Sequence, residues 1–592
     1  MYILGISCFY HDSAAALLRD GELVAASMEE RFSRIKHDPA FPQQAIAFCL
    51  QQAGIHSTDL DYVVFYEKPF VKLTRILLTT LHTFPSSADL WRDAITTWLN
   101  QKLWIKNIIR RELDISNDQI LFCDHHVSHA ASAFFASPFR RAAVLTVDGV
   151  GEWTTTALGT ATSQWQGDAE GENKIELTQE QRFPHSLGLL YSTFTSWLGF
   201  RVNNGEYKVM GMAPYGTPRY IDRVEKLLRR GTDSSYQLNM DYFNFHQSRT
   251  RGYSRKFLDL FGQPRPPDLP FFALSDGSRA AISEQNQYYA DVAASIQHVI
   301  EKTLIDIANY LHRATQLPHL VMAGGVALNT KANYRLLTET PFEEIYIQPA
   351  AGDDGGALGA ALWAYHCVLG QPRNWVMPHA YWGKEYTDEE YKSYLDAQGI
   401  SYTHHTSEDD LLDTLTEALT EQKVIGWMQG RAEWGPRALG NRSILADPRH
   451  AEMKEIVNTK IKYREPFRPF APVILSERAA DYVRYPGVSD QHAPRYMLMV
   501  APLREDKQEE IPAVNHEGTA RLQVIERETN PLYYGLIERF GQATGVPVLL
   551  NTSFNLRGEP IVNSPQNAFR TFRNSDIDIL VLGTYIVHKR DL

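Results

Sequence analysis

The sequence repeats one local plan at two distant places, and that repetition limits the folds open to it. Tyr2–Cys8 reads as a strand, Tyr10–Ser13 as a polar turn and Ala14–Leu18 as a second strand; Asp20-Gly21 then turns the chain into a third strand over Leu23–Met28. Asp-Gly between apolar runs is a hairpin signal, because both residues tolerate the positive φ that such turns need. A similar unit recurs over Ala142–Thr160, with a strand at Ala143–Val147, a tight turn at Asp148-Gly149-Val150-Gly151-Glu152 and a returning strand from Trp153 to Gly159. Two strand–acidic turn–strand units predict an α/β fold made of two related halves.

Further along, helical periodicity spans Gln285–Gln316, and a short strand at His319–Met322 leads into Ala323-Gly324-Gly325-Val326-Ala327-Leu328-Asn329. Another strand, Glu344–Gln348, runs through Gly352-Asp353-Asp354-Gly355-Gly356 into a helix of small residues. Glycine lets a backbone approach phosphate, and helix N-termini offer free amides to anions. Three such turns, each after a strand, predict a nucleotide site that draws on Gly149, Gly151, Gly324, Gly325 and Asn329. The stretch from Lys68 to Leu113 is helix-rich and carries Trp91, Trp98 and Trp104, whose spacing favours packing over a pocket. Pro372, Pro378, Trp382 and Gly383 mark a linker, so we expect one domain over 1–370, with a helical insertion at 68–113, and a second over 386–592.

At 592 residues the chain exceeds one ordinary core, which agrees with that division. A net charge of −11 argues against nucleic acid or an anionic membrane as the main partner. Four dispersed cysteines with no CxxC pair exclude a disulfide framework and a thiolate zinc site, and predict a reduced, cytoplasmic setting. His11, Asp12, Arg19 and Asp20 interrupt any signal-peptide core, and no apolar run approaches the ~18 residues that span a bilayer.

Two constellations carry chemistry. In His125-His126-Val127-Ser128-His129 the first and last histidines are four apart and share one helical face, while His126 stays open on spacing alone. Two imidazoles with a carboxylate suit iron, zinc or manganese, and Asp148 at a strand end and Asp353 at a glycine turn are the leading carboxylates. The second constellation is Arg431–Ser443, followed by Lys460, Lys462, Arg464 and Arg468, with Trp434, Pro436, Phe467 and Phe470 interleaved. Guanidinium forks concentrated in an acidic chain predict an anion site rather than a solvated face. Leu549–Asn555 adds small hydrogen-bonding side chains just past an apolar strand.

In order, these motifs resemble the NodU/CmcH family of carbamoyltransferases over nearly the whole chain. The resemblance rests on Gly5–Ala16, Glu29–Asp38, His125–Ala133, Val147–Glu152, Gly324–Asn329, Gly352–Ala360, Gly435–Ser443, Arg464–Pro472, Gly518–Gln523 and Asn551–Asn555. It implies a duplicated actin/Hsp70/sugar-kinase-like ATPase domain followed by a YrdC-like α/β domain. It also implies that ATP (with Mg²⁺) and carbamoyl phosphate form carbamoyl-adenylate in the second domain, and that the first passes the carbamoyl group to a hydroxyl or amine of a small natural-product acceptor. On this basis His125, His129, Asp148 and Asp353 match the metal ligands, with iron(II) the implied ion, and Asp354 stays open beside Asp353. His11, next to Asp12, sits where an acceptor base is needed, although a turn-capping role fits it equally. Arg437, Arg442, Arg464, Arg468, Arg521, Asn551, Ser553 and Asn555 match the phosphate site, and Lys36 and His37 are further candidates for the nucleotide. A homo-oligomer is compatible with all of this. A sugar kinase would need neither the His-x-x-x-His pair nor the arginines, and a threonylcarbamoyl-transfer enzyme acting on tRNA would need a basic stripe. An Hsp70-like switch would carry an apolar peptide groove in place of Arg431–Arg468.

Overall fold

Both strand–turn–strand units form, and each becomes one side of its own five-stranded sheet. The computed structural model describes residues 1–88, 98, 102–248, 251–271, 283–485 and 487–591. In the first sheet β1 (Tyr2–Ser7), β2 (Ala14–Arg19), β3 (Glu22–Met28), β4 (Tyr62–Phe65) and β5 (Ile120–Phe122) lie in the order β3-β2-β1-β4-β5. The second contains β6 (Arg141–Val147), β7 (Thr154–Thr162) and β8 (Lys174–Arg182). A small hairpin, β9 (Leu228–Arg230) and β10 (Tyr236–Leu238), intervenes before β11 (His319–Ala323) and β12 (Glu344–Ile347), and the sheet order is β12-β11-β6-β7-β8. In both sheets the first strand runs antiparallel to the second and parallel to the fourth. The fourth is parallel to the fifth. Pairing β1 with β6, β2 with β7, β3 with β8, β4 with β11 and β5 with β12 therefore maps one half onto the other.

Helix α1 (Pro69–Thr83) follows β4, and α2 (His125–Phe134) follows β5. Helix α3 (Glu284–Thr315) precedes β11, and α4 (Asp353–Trp363) follows β12. Helices α2 and α4 thus occupy equivalent places in the two halves. They pack against each other through small residues: a Cβ on Gly359 of α4 would stand 1.7 Å from the Ser128 carbonyl oxygen of α2. Of the helix-rich stretch expected over Lys68–Leu113, α1 and a helix at Ile105–Leu113 form, and Trp98 is buried. Trp91 lies outside the described residues.

The chain forms two compact units, Met1–Ala25 with Pro39–Val376, and Ala26–Asp38 with Met377–Leu592. The segment Ala26–Asp38 was expected in the first domain, but its hydrogen bonds tie it to the second. Arg31 donates to the Gly435 carbonyl at 2.8 Å, and Arg34 to the carbonyls of Pro560 and Ile561 at 2.7 and 2.6 Å. The second unit is built on a mixed eight-stranded sheet. Its strands are β13 (Thr403–His404), β14 (Ile425–Met428), β15 (Arg442–Ala446), β16 (Ala471–Leu475), β19 (Gln523–Ile525), β20 (Val548–Ser553), β21 (Ile579–Leu582) and β22 (Tyr585–His588), in the order β13-β22-β21-β14-β15-β20-β16-β19. The remaining two, β17 (Val500–Pro502) and β18 (Thr519–Arg521), pair separately. Helices α5 (Glu408–Thr420) and α6 (Pro531–Thr544) bury Leu415, Leu419, Tyr533 and Phe540 against Trp427 and Leu445 of the sheet. Among the described residues no helix is long and apolar enough to cross a membrane.

Candidate metal centre and basic cluster

Four side chains from both halves of the first unit converge at one point. His125 and His129 open the first turns of α2, Asp148 follows β6, and Asp353 is the first residue of α4. Their ligand atoms all lie within 4.8 Å of one another, and the residues are buried. The Nε2 atoms of His125 and His129 are 3.2 Å apart. Asp148 Oδ2 lies 3.2 Å from the first and 3.9 Å from the second, and Asp353 Oδ1 lies 3.7 and 3.6 Å from them. Both oxygens of Asp353 are buried and accept no hydrogen bond. Buried carboxylates are ordinarily satisfied, so an orphaned one facing two imidazole nitrogens fits a divalent cation. A set of two nitrogen and two oxygen donors suits iron, zinc or manganese alike.

Local chemistry explains the convergence. Asp148 is held by its backbone: its N–H donates to the Thr155 carbonyl at 2.9 Å, and its Oδ1 accepts from the Gly325 N–H at 3.0 Å. Gly324 has φ of 96°, and a Cβ there would meet the Val147 carbonyl at 2.3 Å, so the turn that brings Gly325 to Asp148 requires glycine. Gly151 is equally constrained, since a Cβ would meet the His125 ring at 2.5 Å. Burial opposes a charged imidazole at His125, yet the Asp148 and Glu67 carboxylates raise its pKa to about 10. Burial also penalises the Asp148 carboxylate, but His125 and His129 hold it well below its usual range.

His126 points elsewhere. Its Nδ1 meets the Thr146 hydroxyl at 2.7 Å and its Nε2 the Thr154 carbonyl at 2.9 Å, so the ring is neutral, with the proton on Nε2. Burial, with the neighbouring His125 and His129, pushes its pKa down to about 3. Asp354 does not join the group: burial, Asp12 and Asp353 raise its carboxyl to about 7. His11 lies in the β1–β2 turn, the counterpart of the β6–β7 turn that carries Asp148. Its Nδ1 is 2.9 Å from Asp12, and its Nε2 is 4.0 Å from Asp353 Oδ2. Burial opposes its charge, but Asp353, Asp12 and Asp148 raise its pKa to about 9. A dication held by Asp148 and Asp353 would cancel much of that field and return the imidazole toward neutrality.

The predicted nucleotide residues separate. Gly149 and Gly151 sit in the Asp148 turn, and Gly324 and Gly325 in the turn beside it. Asn329 caps the helix Thr330–Glu339 through the Ala332 N–H and pairs with Gln297 of α3 at 2.9 Å. Lys36 and His37 belong to the second unit, where Lys36 Nζ approaches the Glu559 carbonyl at 3.4 Å and the His37 N–H donates to Glu30.

In the second unit four of the phosphate-site candidates, Arg464, Arg468, Ser553 and Asn555, gather around a lysine that spacing alone did not single out. Lys462 follows a π-helical turn, Ile456–Ile461, a geometry common at functional sites. Its Nζ donates to the Ser553 carbonyl, the Ser553 hydroxyl at 3.1 Å, Asn555 Oδ1 at 2.9 Å and Thr552 Oγ1 at 3.4 Å. None of these partners is a carboxylate. Burial, with Arg464, Arg468 and Lys36 nearby, drives its pKa well below the ordinary lysine value. Arg464 is steadied by Asn458 Oδ1 at 2.6 Å, and Arg468 lies 3.9 Å from Glu465. Arg437 and Arg521 are half-buried. Asn551 is committed to Gln523 at 2.7 Å. Arg442 is fully buried, and its Nη atoms donate to the carbonyls of Gln429, Lys384, Gly430 and Asn441, so it braces the loop instead of facing a ligand.

A duplicated two-sheet unit with a four-donor centre, followed by an α/β unit with a cluster of basic side chains, narrows the class. Residues 2–362 match the carbamoyltransferase N-terminus and residues 416–589 the carbamoyltransferase C-terminus. The chain therefore belongs to the NodU/CmcH family of carbamoyltransferases. An uncharacterized protein of Synechocystis sp. is 45% identical, with 99% of this chain and 97% of that one covered. The nodulation protein NolNO of Sinorhizobium fredii is 37% identical, over 98% of this chain and 79% of its own length. Among solved structures, component A of (R)-2-hydroxyglutaryl-CoA dehydratase from Acidaminococcus fermentans aligns at a TM-score of 0.33 and 18% identity, covering 62% of this chain and 98% of that one. HypF from T. kodakarensis aligns at 0.30 and 14%, covering 63% and 48%.

Proposed function

We propose that this carbamoyltransferase is ATP-dependent, with activation in the second unit, which contains the YrdC-like domain expected over 386–592 together with Ala26–Asp38, and transfer in the first. Carbamoyl phosphate loses phosphate with uptake of water, and the resulting carbamate oxygen attacks the α-phosphorus of ATP, expelling pyrophosphate and leaving carbamoyl-adenylate. The observation that carries this reading is Lys462, a buried lysine whose partners are hydroxyl, amide and carbonyl oxygens and which has Arg464, Arg468 and Lys36 beside it. An array of that kind is suited to polyanionic phosphates and stabilises the negative charge that gathers as pyrophosphate leaves. Arg437 and Arg521 would contribute further phosphate contacts, Ser553 and Asn555 orient Lys462, and Arg442 and Asn551 hold the surrounding loops.

In the first unit His125, His129, Asp148 and Asp353 would hold iron(II) or a similar ion, which supplies Lewis acidity toward the carbamoyl carbonyl when bound. Gly149, Gly151, Gly324, Gly325 and Asn329 would shape the nucleotide subsite, with Mg²⁺ accompanying ATP. His11, oriented by Asp12, takes the proton of a hydroxyl or amine on a small natural-product acceptor as that atom bonds to the carbamoyl carbon and AMP departs. The test is pyrophosphate release from ATP and carbamoyl phosphate without acceptor. We expect wild-type protein to release it and both Arg437→Ala and Lys462→Met to lose it. Each change removes charge-assisted contacts worth roughly 1.5–3 kcal/mol. Undiminished release by both variants would move activation away from this cluster.

A further inference from the structure

His125 turns Nε2 toward the other three ligands, which leaves Nδ1 facing the opposite way, toward Glu67. Glu67 lies two residues past the end of β4, the strand beside β5, and its Oε2 lies 3.7 Å from His125 Nδ1. The same oxygen is 2.6 Å from Nζ of Lys72 on α1. All three side chains are buried, with 1% of His125 and 4% each of Glu67 and Lys72 exposed. Lys72 Nζ also lies over the Tyr10 ring, 4.8 Å from its centroid. His125 Nδ1 makes no hydrogen bond in this geometry. Closing 3.7 Å to an ordinary N–H···O length of ~2.9 Å takes a shift of under about 1 Å.

A buried carboxylate–ammonium pair is a poor device for stability alone, because the desolvation of both groups offsets most of their attraction. It makes physical sense beside a ligand that needs one ring nitrogen protonated and the other free. We infer that Glu67 is a positioning residue for the metal centre: it accepts the Nδ1–H of His125, fixes the tautomer with Nε2 unprotonated, and raises the basicity of that nitrogen. Lys72 keeps the carboxylate aimed and makes the outer pair neutral, so the centre gains direction without further net negative charge. Helix α1 is thereby coupled to the ion through Lys72, although it contributes no ligand. Partners of this kind are general around metal-bound histidines, and losing one typically costs about 10–100-fold in metal affinity.

The inference rests on reading the four-donor group as a metal centre, and the experiment separates the two. Affinity for Fe²⁺, and for Co²⁺ as a spectroscopic substitute, is measured by competition with a chromophoric chelator for wild type, Glu67→Gln, Glu67→Asp, His129→Ala and Asp148→Asn. The thermal stability of each metal-free protein is followed alongside. We expect His129→Ala and Asp148→Asn to lose the ion, Glu67→Gln to weaken it by about 10–100-fold, and Glu67→Asp to recover part of the loss. The Co²⁺ visible spectrum of Glu67→Gln should shift as the His125 ring loses its fixed orientation. Because Glu67→Gln strands Lys72, the double variant Glu67→Gln/Lys72→Met restores metal-free stability, and we expect it to leave metal affinity low. Affinities within twofold of wild type for both Glu67→Gln and the double variant would overturn the role of Glu67. Full metal binding by His129→Ala and Asp148→Asn would overturn the centre itself.

Discussion

Replacing Gly359 by alanine tests how the centre is assembled. The new methyl carbon would lie 1.7 Å from the Ser128 carbonyl oxygen, 2.7 Å from its carbon and 2.9 Å from the Ser132 nitrogen, all backbone atoms of α2. No rotamer relieves such a clash, so α2 and α4 must separate by about 1.5 Å to restore ordinary contact. Overpacking of this kind costs about 1–3 kcal/mol, and the better helix propensity of alanine returns roughly 1 kcal/mol. Metal-free protein should therefore lose only about 0–2 kcal/mol in a urea titration. The ion should suffer far more, because α4 begins at Asp353 and α2 carries both histidines, while metal–ligand distances tolerate only about ±0.2 Å. We expect affinity by chelator competition to fall more than tenfold while most of the fold persists. Wild-type affinity in Gly359→Ala would refute the reasoning: either the helices need not touch, or the ion binds elsewhere.

Two further outcomes follow from histidines that bind no ion. His126→Asn should retain full metal content by elemental analysis yet lower thermal stability, because Thr146 and Thr154 lose buried partners worth roughly 1–3 kcal/mol. His366 is stacked on Phe135, and burial with nearby Arg373 lowers its pKa to about 4 from 6.5. The unfolded chain then binds a proton that the folded one refuses, so this stabilising contribution is full above the unfolded pKa of about 6.5 and is lost as pH falls toward 4. At pH 5 the loss is about 2 kcal/mol, and His366→Asn should flatten the stability–pH profile by about that amount between pH 7 and 5.

The duplicated architecture was legible because its signal is local. Asp20-Gly21 and the glycines between Asp148 and Glu152 mark tight reversals between apolar runs, and those hairpins define the shared edge of both sheets. The His125–His129 pairing was legible for a similar reason, since four residues along a helix return to one face. What spacing left open depended on partners distant in sequence. His126 is settled by Thr146 and Thr154, which a hairpin brings over it. Arg442 looked like an anion ligand by type, and only the fold reveals four carbonyls around it. Glu67 belongs to no motif, and its meaning comes from β4 lying beside β5 and from Lys72 one helical turn into α1. The allegiance of Ala26–Asp38 was hidden because Gly435 and Pro560, which capture Arg31 and Arg34, lie hundreds of residues away.

Because α2 and α4 are counterparts at the ends of the two half-sheets, the proposed metal centre would also keep time during synthesis. His125, His129 and Asp148 leave the ribosome early, but Asp353 follows only after the whole second sheet has been made. Until then the nascent chain offers an incomplete set of donors, which leaves a captured ion easily surrendered to cellular chelators. Tight metal uptake at the proposed centre would thus report that both halves have been translated and docked.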